Sequence, residues 1–235
     1  MMMPAKISLT LYEEMLLLAL DDRKGTTGMS AWHTTAMGGV ILAELVLMGK
    51  LHIGADKKKM VDAEPGAQVD DPLLSECLRL VQDAKRRKRG SEWVAKFAGL
   101  KDLRNRAARG LVSKGVLNES SDKVLGLFPR TIFPTRDGGP EQALIARLTD
   151  AVMGDSDRID PRTMVVVAVA NATALLEKAI PKKDLKGRKA RLKQLSEGQL
   201  AAGATGEALQ AVQAAQAAVA AALIATTVAT SAATS

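Results

Sequence analysis

The segment Met164–Leu176 sets the tightest limit on this chain: 13 residues, nearly all of them apolar. A bilayer-spanning helix needs roughly 20 such residues. The segment is too short to cross a membrane, and a helix that is apolar on every side has to be covered by the rest of the protein. It therefore predicts a central buried helix with other helices packed around it. With 235 residues, 47% of them hydrophobic, the chain is long enough to provide that cover within one domain. No fixed-period repeat and no long Gly/Ser linker divides it.

The covering helices can be read from their spacing. Leu11, Met15, Leu18 and Ala19 follow Thr10, and Glu13 stands where a capping box places its acid, so a first helix begins at Leu11 and ends before Gly25. Ser30 precedes a second helix over Ala31–Met48, in which the Gly38–Gly39 pair permits close approach of another backbone. Leu51 and Ile53 flank His52 in a short strand pattern. Pro72 opens a third helix carrying Leu73, Leu74, Cys77, Leu78 and Val81, which leads into the basic run Lys85–Arg89. That run reads as a solvated helix end. Ser91 is placed to cap a helix with Trp93, Val94 and Phe97.

Residues 100–112 form a basic amphipathic segment with Leu103, Ala107, Gly110 and Leu111 on one stripe. Two short apolar strands follow, 123–128 and 131–133, with Pro129 and Arg130 as the turn. Pro140 and Glu141 open another helix. The Ala-rich segment after Glu207 reads as a helix that frays near the C-terminus, not as a span. The expected architecture is mainly α, a single globular helical domain with a short apolar β-hairpin. Its expected bounds are a flexible N-terminus (1–8), the domain (9–225) and a frayed tail (226–235).

Charge narrows the function. The 33 Lys and Arg against 26 Asp and Glu give +7 and a pI near 9.6, which points to a polyanionic partner. One cysteine, Cys77, excludes an intramolecular disulfide, and Cys77, His33 and His52 make no metal-ligand cluster. No phosphate loop, dinucleotide fingerprint or acid–base pair stands on a recognisable frame, so no catalytic residue and no cofactor is assigned. The N-terminus lacks a signal-peptide pattern, and a cytoplasmic location is expected. The segment 101–133 also has the outline of a winged helix, in which Arg104, Asn105, Arg106 and Arg109 would meet DNA. Its hairpin is apolar where a DNA-binding wing carries cations, which makes nucleic acid the weaker partner.

Four stretches resemble the Golgi phosphoprotein 3 family. They are LTLYEEMLLLALDDRKG at 9–25, GVILAELVLMGKLHI at 39–53, KDLRNRAARGLVSKGVL at 101–117 with VLGLFPRTIFP at 124–134, and DRIDPRTMVVVAVANATALLEKAI at 157–180. The Ala-rich tail fits a bacterial-type member. The resemblance implies a mostly helical, non-enzymatic adaptor, peripherally bound to membranes, that takes phosphatidylinositol 4-phosphate in a basic pocket beside an inserting hairpin. It also implies homo-oligomers and client membrane proteins as partners. It assigns the head-group contacts to Lys101 and Arg104, placed on one helix face; Trp32, one helical turn from Met29, is a candidate to stand in for the family's tryptophan. The inserting residues would be Leu125, Leu127, Phe128, Ile132 and Phe133. The family's tryptophan and second arginine fall at Met29 and Gly38.

Overall fold

In a computed structural model of the chain, Thr10 starts the first helix as expected. The structure describes residues 7–21, 26–27, 31–54, 58–124, 128–200, 209–210 and 212. Thr10 Oγ1 accepts from Glu13 N, and Glu13 Oε2 accepts from Thr10 N at 2.8 Å. Two donors that the helix leaves unpaired are thereby satisfied. This helix, α1 (Leu11–Ala19), is buried along its whole length. It ends at Ala19 because Leu20 turns extended, and β1 (Leu20–Asp21) pairs with β2 (Thr26–Thr27).

The remaining elements follow in chain order. They are α2 (Ala31–Leu47), β3 (Leu51–Ile53), β4 (Met60–Ala63), α3 (Pro72–Gln82), β5 (Lys88–Arg89), α4 (Gly90–Ala98), α5 (Leu103–Ser113), β6 (Ser120–Val124), β7 (Phe128–Ile132), α6 (Gly139–Met153), α7 (Pro161–Ala172), α8 (Leu176–Ala179), α9 (Lys182–Gly187) and α10 (Lys189–Ser196). The fold is mainly helical with small antiparallel sheets.

The apolar segment supplies the central helix as far as Ala172, where α7 ends; residues 173–175 turn away, so the helix stops short of the expected Leu176. Asp160 Oδ2 accepts from Thr163 N at 3.0 Å to cap α7, and every residue from Thr163 to Ala170 is buried. Helices α1, α2, α6 and α10 pack on it. Helix α4 packs on α2 at Gly38, where an added Cβ would stand 2.5 Å from Val94 O and 3.0 Å from Ala98 N. The glycine pair thus marks a close backbone crossing, as its sequence predicts.

Several local expectations change. Helix α4 starts two residues earlier than a Ser91 cap would set it, with Arg89 at the cap position and Glu92 Oε2 accepting from Arg89 N at 2.9 Å. The Lys85–Arg89 run is not a helix end. Helix α3 stops at Gln82, and Lys88–Arg89 become β5, the third strand of a β3-β4-β5 sheet. The hairpin turn lies earlier than Pro129–Arg130. Val124 pairs with Phe128 and Lys123 with Pro129, so both turn candidates sit inside β7. A proline fits there because a two-stranded sheet has only edge strands.

Among the described residues no helix is long and apolar enough to cross a membrane, and no His/Cys/Asp/Glu cluster is placed to hold a metal ion. Most of the Ala-rich tail, the proposed bound at 225 and residues 1–6 of the proposed N-terminal segment fall outside the described residues.

Candidate functional site

Helix α5 displays three arginines, and their surroundings differ. Arg106 is paired with Glu76, and Arg109 reaches Glu119 at 3.1 Å and Asp102 at 3.4 Å. Asn105 Nδ2 donates to Asp102 Oδ1 at 2.5 Å. Arg104, in the first turn, has no hydrogen-bond or ion-pair partner among the described residues, and its Nε is buried without an acceptor. Burial, and after it the like charge of Arg130, pushes the Arg104 guanidinium below the usual arginine range, with Asp102 opposing.

Arg130 reaches this corner because of the β6–β7 register. Asp122 lies directly across from it, and Arg130 Nη2 donates to Asp122 Oδ2 at 2.6 Å. The carboxylate holds Arg130 on the hairpin close enough to bear on Arg104. A buried donor without an acceptor, set against a second cation, is an unfavourable arrangement for an empty site. It becomes favourable when an anion accepts from both.

Lys101 is exposed and without an ion-pair partner among the described residues, but it does not share a helix face with Arg104. Asp102 takes a left-handed conformation (φ 57°) and α5 begins only at Leu103, so Lys101 lies in the preceding turn. Trp32 lies in the first turn of α2, and its side chain is outside the described residues. The same holds for Leu125, Leu127 and the Phe128 side chain. Ile132 is half-buried. Phe133 is 1% exposed and packs in the core, so it is not part of an exposed apolar tip. The strand alternation accounts for this, because Phe133 projects to the face opposite Ile132.

Sequence reasoning did not assign Arg130 to the site. Shifting the turn to precede Phe128 was the missing step, since only then does Arg130 oppose Asp122. Nor did spacing reveal the carboxylate beside His52, whose Nε2 lies 2.8 Å from Glu64 Oε2 across the β3–β4 hairpin.

A family model described as Golgi phosphoprotein 3 (GPP34) matches residues 11–212. Vacuolar protein sorting-associated protein 74 of Eremothecium gossypii is 25% identical to the chain over 220 residues, covering 77% of the chain. The chain spans 64% of the length of that curated relative. With a match from α1 to beyond α10, the chain belongs to the Golgi phosphoprotein 3 family.

Proposed function

We propose that the protein docks on anionic membrane surfaces as a non-enzymatic adaptor, with the head-group phosphate held between Arg104 and Arg130. The observation that carries this reading is the buried, unpaired Nε of Arg104 beside a second cation. Lys101, exposed in the adjoining turn, adds attraction at the rim. Trp32 is proposed as a neighbouring wall, and Leu125, Leu127, Phe128 and Ile132 as the inserting apolar set. Apolar side chains beside cations suit the boundary between head groups and acyl chains.

Phosphatidylinositol 4-phosphate is the ligand that family membership suggests. Gly38, where the family pattern has its second arginine, is taken up by the α2–α4 crossing. In this reading Arg130 supplies the cation that Gly38 cannot. Client membrane proteins and self-association belong to the same proposal, by family membership.

A DNA-binding reading fits less well. Of the four α5 residues it needs, Asn105, Arg106 and Arg109 are already tied to Asp102, Glu76 and Glu119. Those acids would repel a phosphate backbone.

Co-flotation tests the proposal with neutral vesicles, vesicles containing phosphatidylserine and vesicles containing phosphatidylinositol 4-phosphate. Binding that requires anionic lipid and falls in Arg104→Ala and Arg130→Ala is the expected result. Absence of flotation at low salt on every vesicle would overturn it, and duplex DNA would then be the next ligand to try.

A further inference from the structure

We propose that the cleft beside Trp93 is a second anion site, separate from the α5 corner, that takes a phosphate-bearing ligand. The cleft holds about 500 Å³ and is lined by Asp62, Glu64, Gln82, Arg86, Arg87 and Trp93 among others; its two arginines are matched by Asp62 and Glu64, so the excess of cations lies in the hollow beside it. A smaller hollow of about 380 Å³ adjoins it through Ala84 and Arg86. That hollow carries four cations, Lys85, Arg86, Lys88 and Lys96, against one acid, Asp83.

The cations are not spent on structure. Arg87 is tied to Asp62 on the far wall of the cleft. Lys85 and Arg86, by contrast, have no ion-pair partner among the described residues. Lys88 and Lys96 each place an ammonium 5.3 Å from the centroid of the Trp93 ring. Attraction to the indole face holds both there, so two like charges stay no farther apart than twice that distance. Cations gathered in this way draw a multiply charged anion more strongly than a single charge. Arg86 can add a bidentate contact.

Trp93 supplies the second observation. Its side chain is fully buried, and its Nε1 has no hydrogen-bond partner. A buried indole N–H is normally paired. Trp93 lines the cleft, and its unpaired N–H is the polar group that the ring can offer an anion there. A phosphate oxygen can accept from that N–H while the neighbouring cations balance its charge. The N–H is shut from water, so the acceptor reaches it as rim side chains move aside.

The test uses the full chain labelled with nitrogen-15; the chain has two tryptophans, and the Trp93 indole is the resonance that is missing from Trp93→Phe. The indole N–H resonance is followed during titration with tripolyphosphate and, separately, with anionic vesicles. A saturable shift is expected with tripolyphosphate. It should weaken on the order of tenfold in Lys96→Ala or Arg86→Ala, as for loss of one charge-assisted contact, and persist in Arg104→Ala. A response to vesicles as well would make the phosphate a lipid head group, whereas a response to tripolyphosphate alone would make it a soluble compound. No saturable response to either probe, or a response abolished by Arg104→Ala, would overturn the proposal. Loss of vesicle docking in Arg104→Ala with the tripolyphosphate response intact would separate this site from the membrane-docking one.

Discussion

Two groups of arginines in this protein have opposite circumstances. Where α1 and α2 meet the later helices, the buried acids all have cations. Glu13 meets Lys114 at 2.5 Å, Glu14 meets Arg147 at 2.6 Å and Glu44 meets Arg162 at 2.6 Å. Glu44 also accepts from Leu11 N at 2.6 Å, and Arg162 donates to Leu9 O at 3.0 Å. The three ion pairs join segments more than 100 residues apart and fix how α1 enters the core. At the α5 corner, by contrast, Arg104 is half-buried with no ion-pair partner among the described residues and a like charge for a neighbour. The first arrangement serves the fold. The second is the arrangement that the proposed docking site would use.

The largest effect expected from breaking this contrast is on the interior pairs. Removing Arg162 as Arg162→Leu leaves Glu44 buried without its cation, which costs about 3–5 kcal/mol, measurable by urea unfolding. Burial already holds the Glu44 carboxyl above the usual glutamate range, with Arg162 opposing, and burial does the same to Glu14 against Arg147. A carboxyl raised in the folded state binds its proton more tightly folded than unfolded. Its contribution to stability is therefore present below the unfolded pKa and lost as pH rises through the folded one. Without Arg162 the rise is greater still. The penalty of Arg162→Leu should shrink from pH 8 to pH 5, and a penalty that grows on acidification would contradict the assignment.

Packing, more than charge, limits the second comparison. Restoring an arginine at Gly38 would give the corner another cation on paper, but even Gly38→Ala puts a carbon against Val94 O and Ala98 N. Alanine ordinarily gains up to about 1 kcal/mol over glycine in a helix. Here overpacking should reverse the sign, to a loss of about 1–3 kcal/mol. A Gly38→Ala protein with a raised Tm would show that α2 and α4 do not cross this closely.

How much of this was legible from sequence follows from what each feature depends on. The Thr10 capping box, the Pro72 start, the Gly38 crossing and the buried helix depend on local spacing, and each is where its residues predict, except that α7 ends at Ala172, short of the Leu176 that the apolar run reaches. The short strands do not. Neither β4 nor β5 has more than four residues, and their pairing joins positions 25 residues or more apart, so no local periodicity marks them. The hairpin register failed for a related reason, because Pro129 signals a turn by habit while the partner strand decides where the turn lies. Of the site, Arg104 was legible through family resemblance. Arg130 was not, since its role depends on facing Asp122.

Smaller in stability and larger in function is the effect of Arg104→Ala. The substitution removes a desolvated cation, an unpaired donor and a repulsion from Arg130, so the fold should change by no more than about 1 kcal/mol. Anionic-vesicle binding should nonetheless be lost. Residues kept for a ligand commonly give this pairing of stable fold and lost binding. A large drop in Tm would instead place Arg104 with the interior pairs and remove the contrast.

The smallest effect is expected at Lys101. It is exposed and precedes the helix, so Lys101→Ala should leave Tm unchanged and weaken vesicle binding only through long-range attraction, by about 1 kcal/mol. Screening separates it from Arg104. Between low and physiological salt the Debye length falls to about 8 Å, so the Lys101→Ala deficit should fade as salt rises, whereas a deficit at a half-buried contact is less screened and should persist. If both variants fade alike, Arg104 acts as part of a diffuse basic surface and the corner is not a built site. If only Lys101→Ala fades, the difference between a rim charge and a held phosphate has been measured directly.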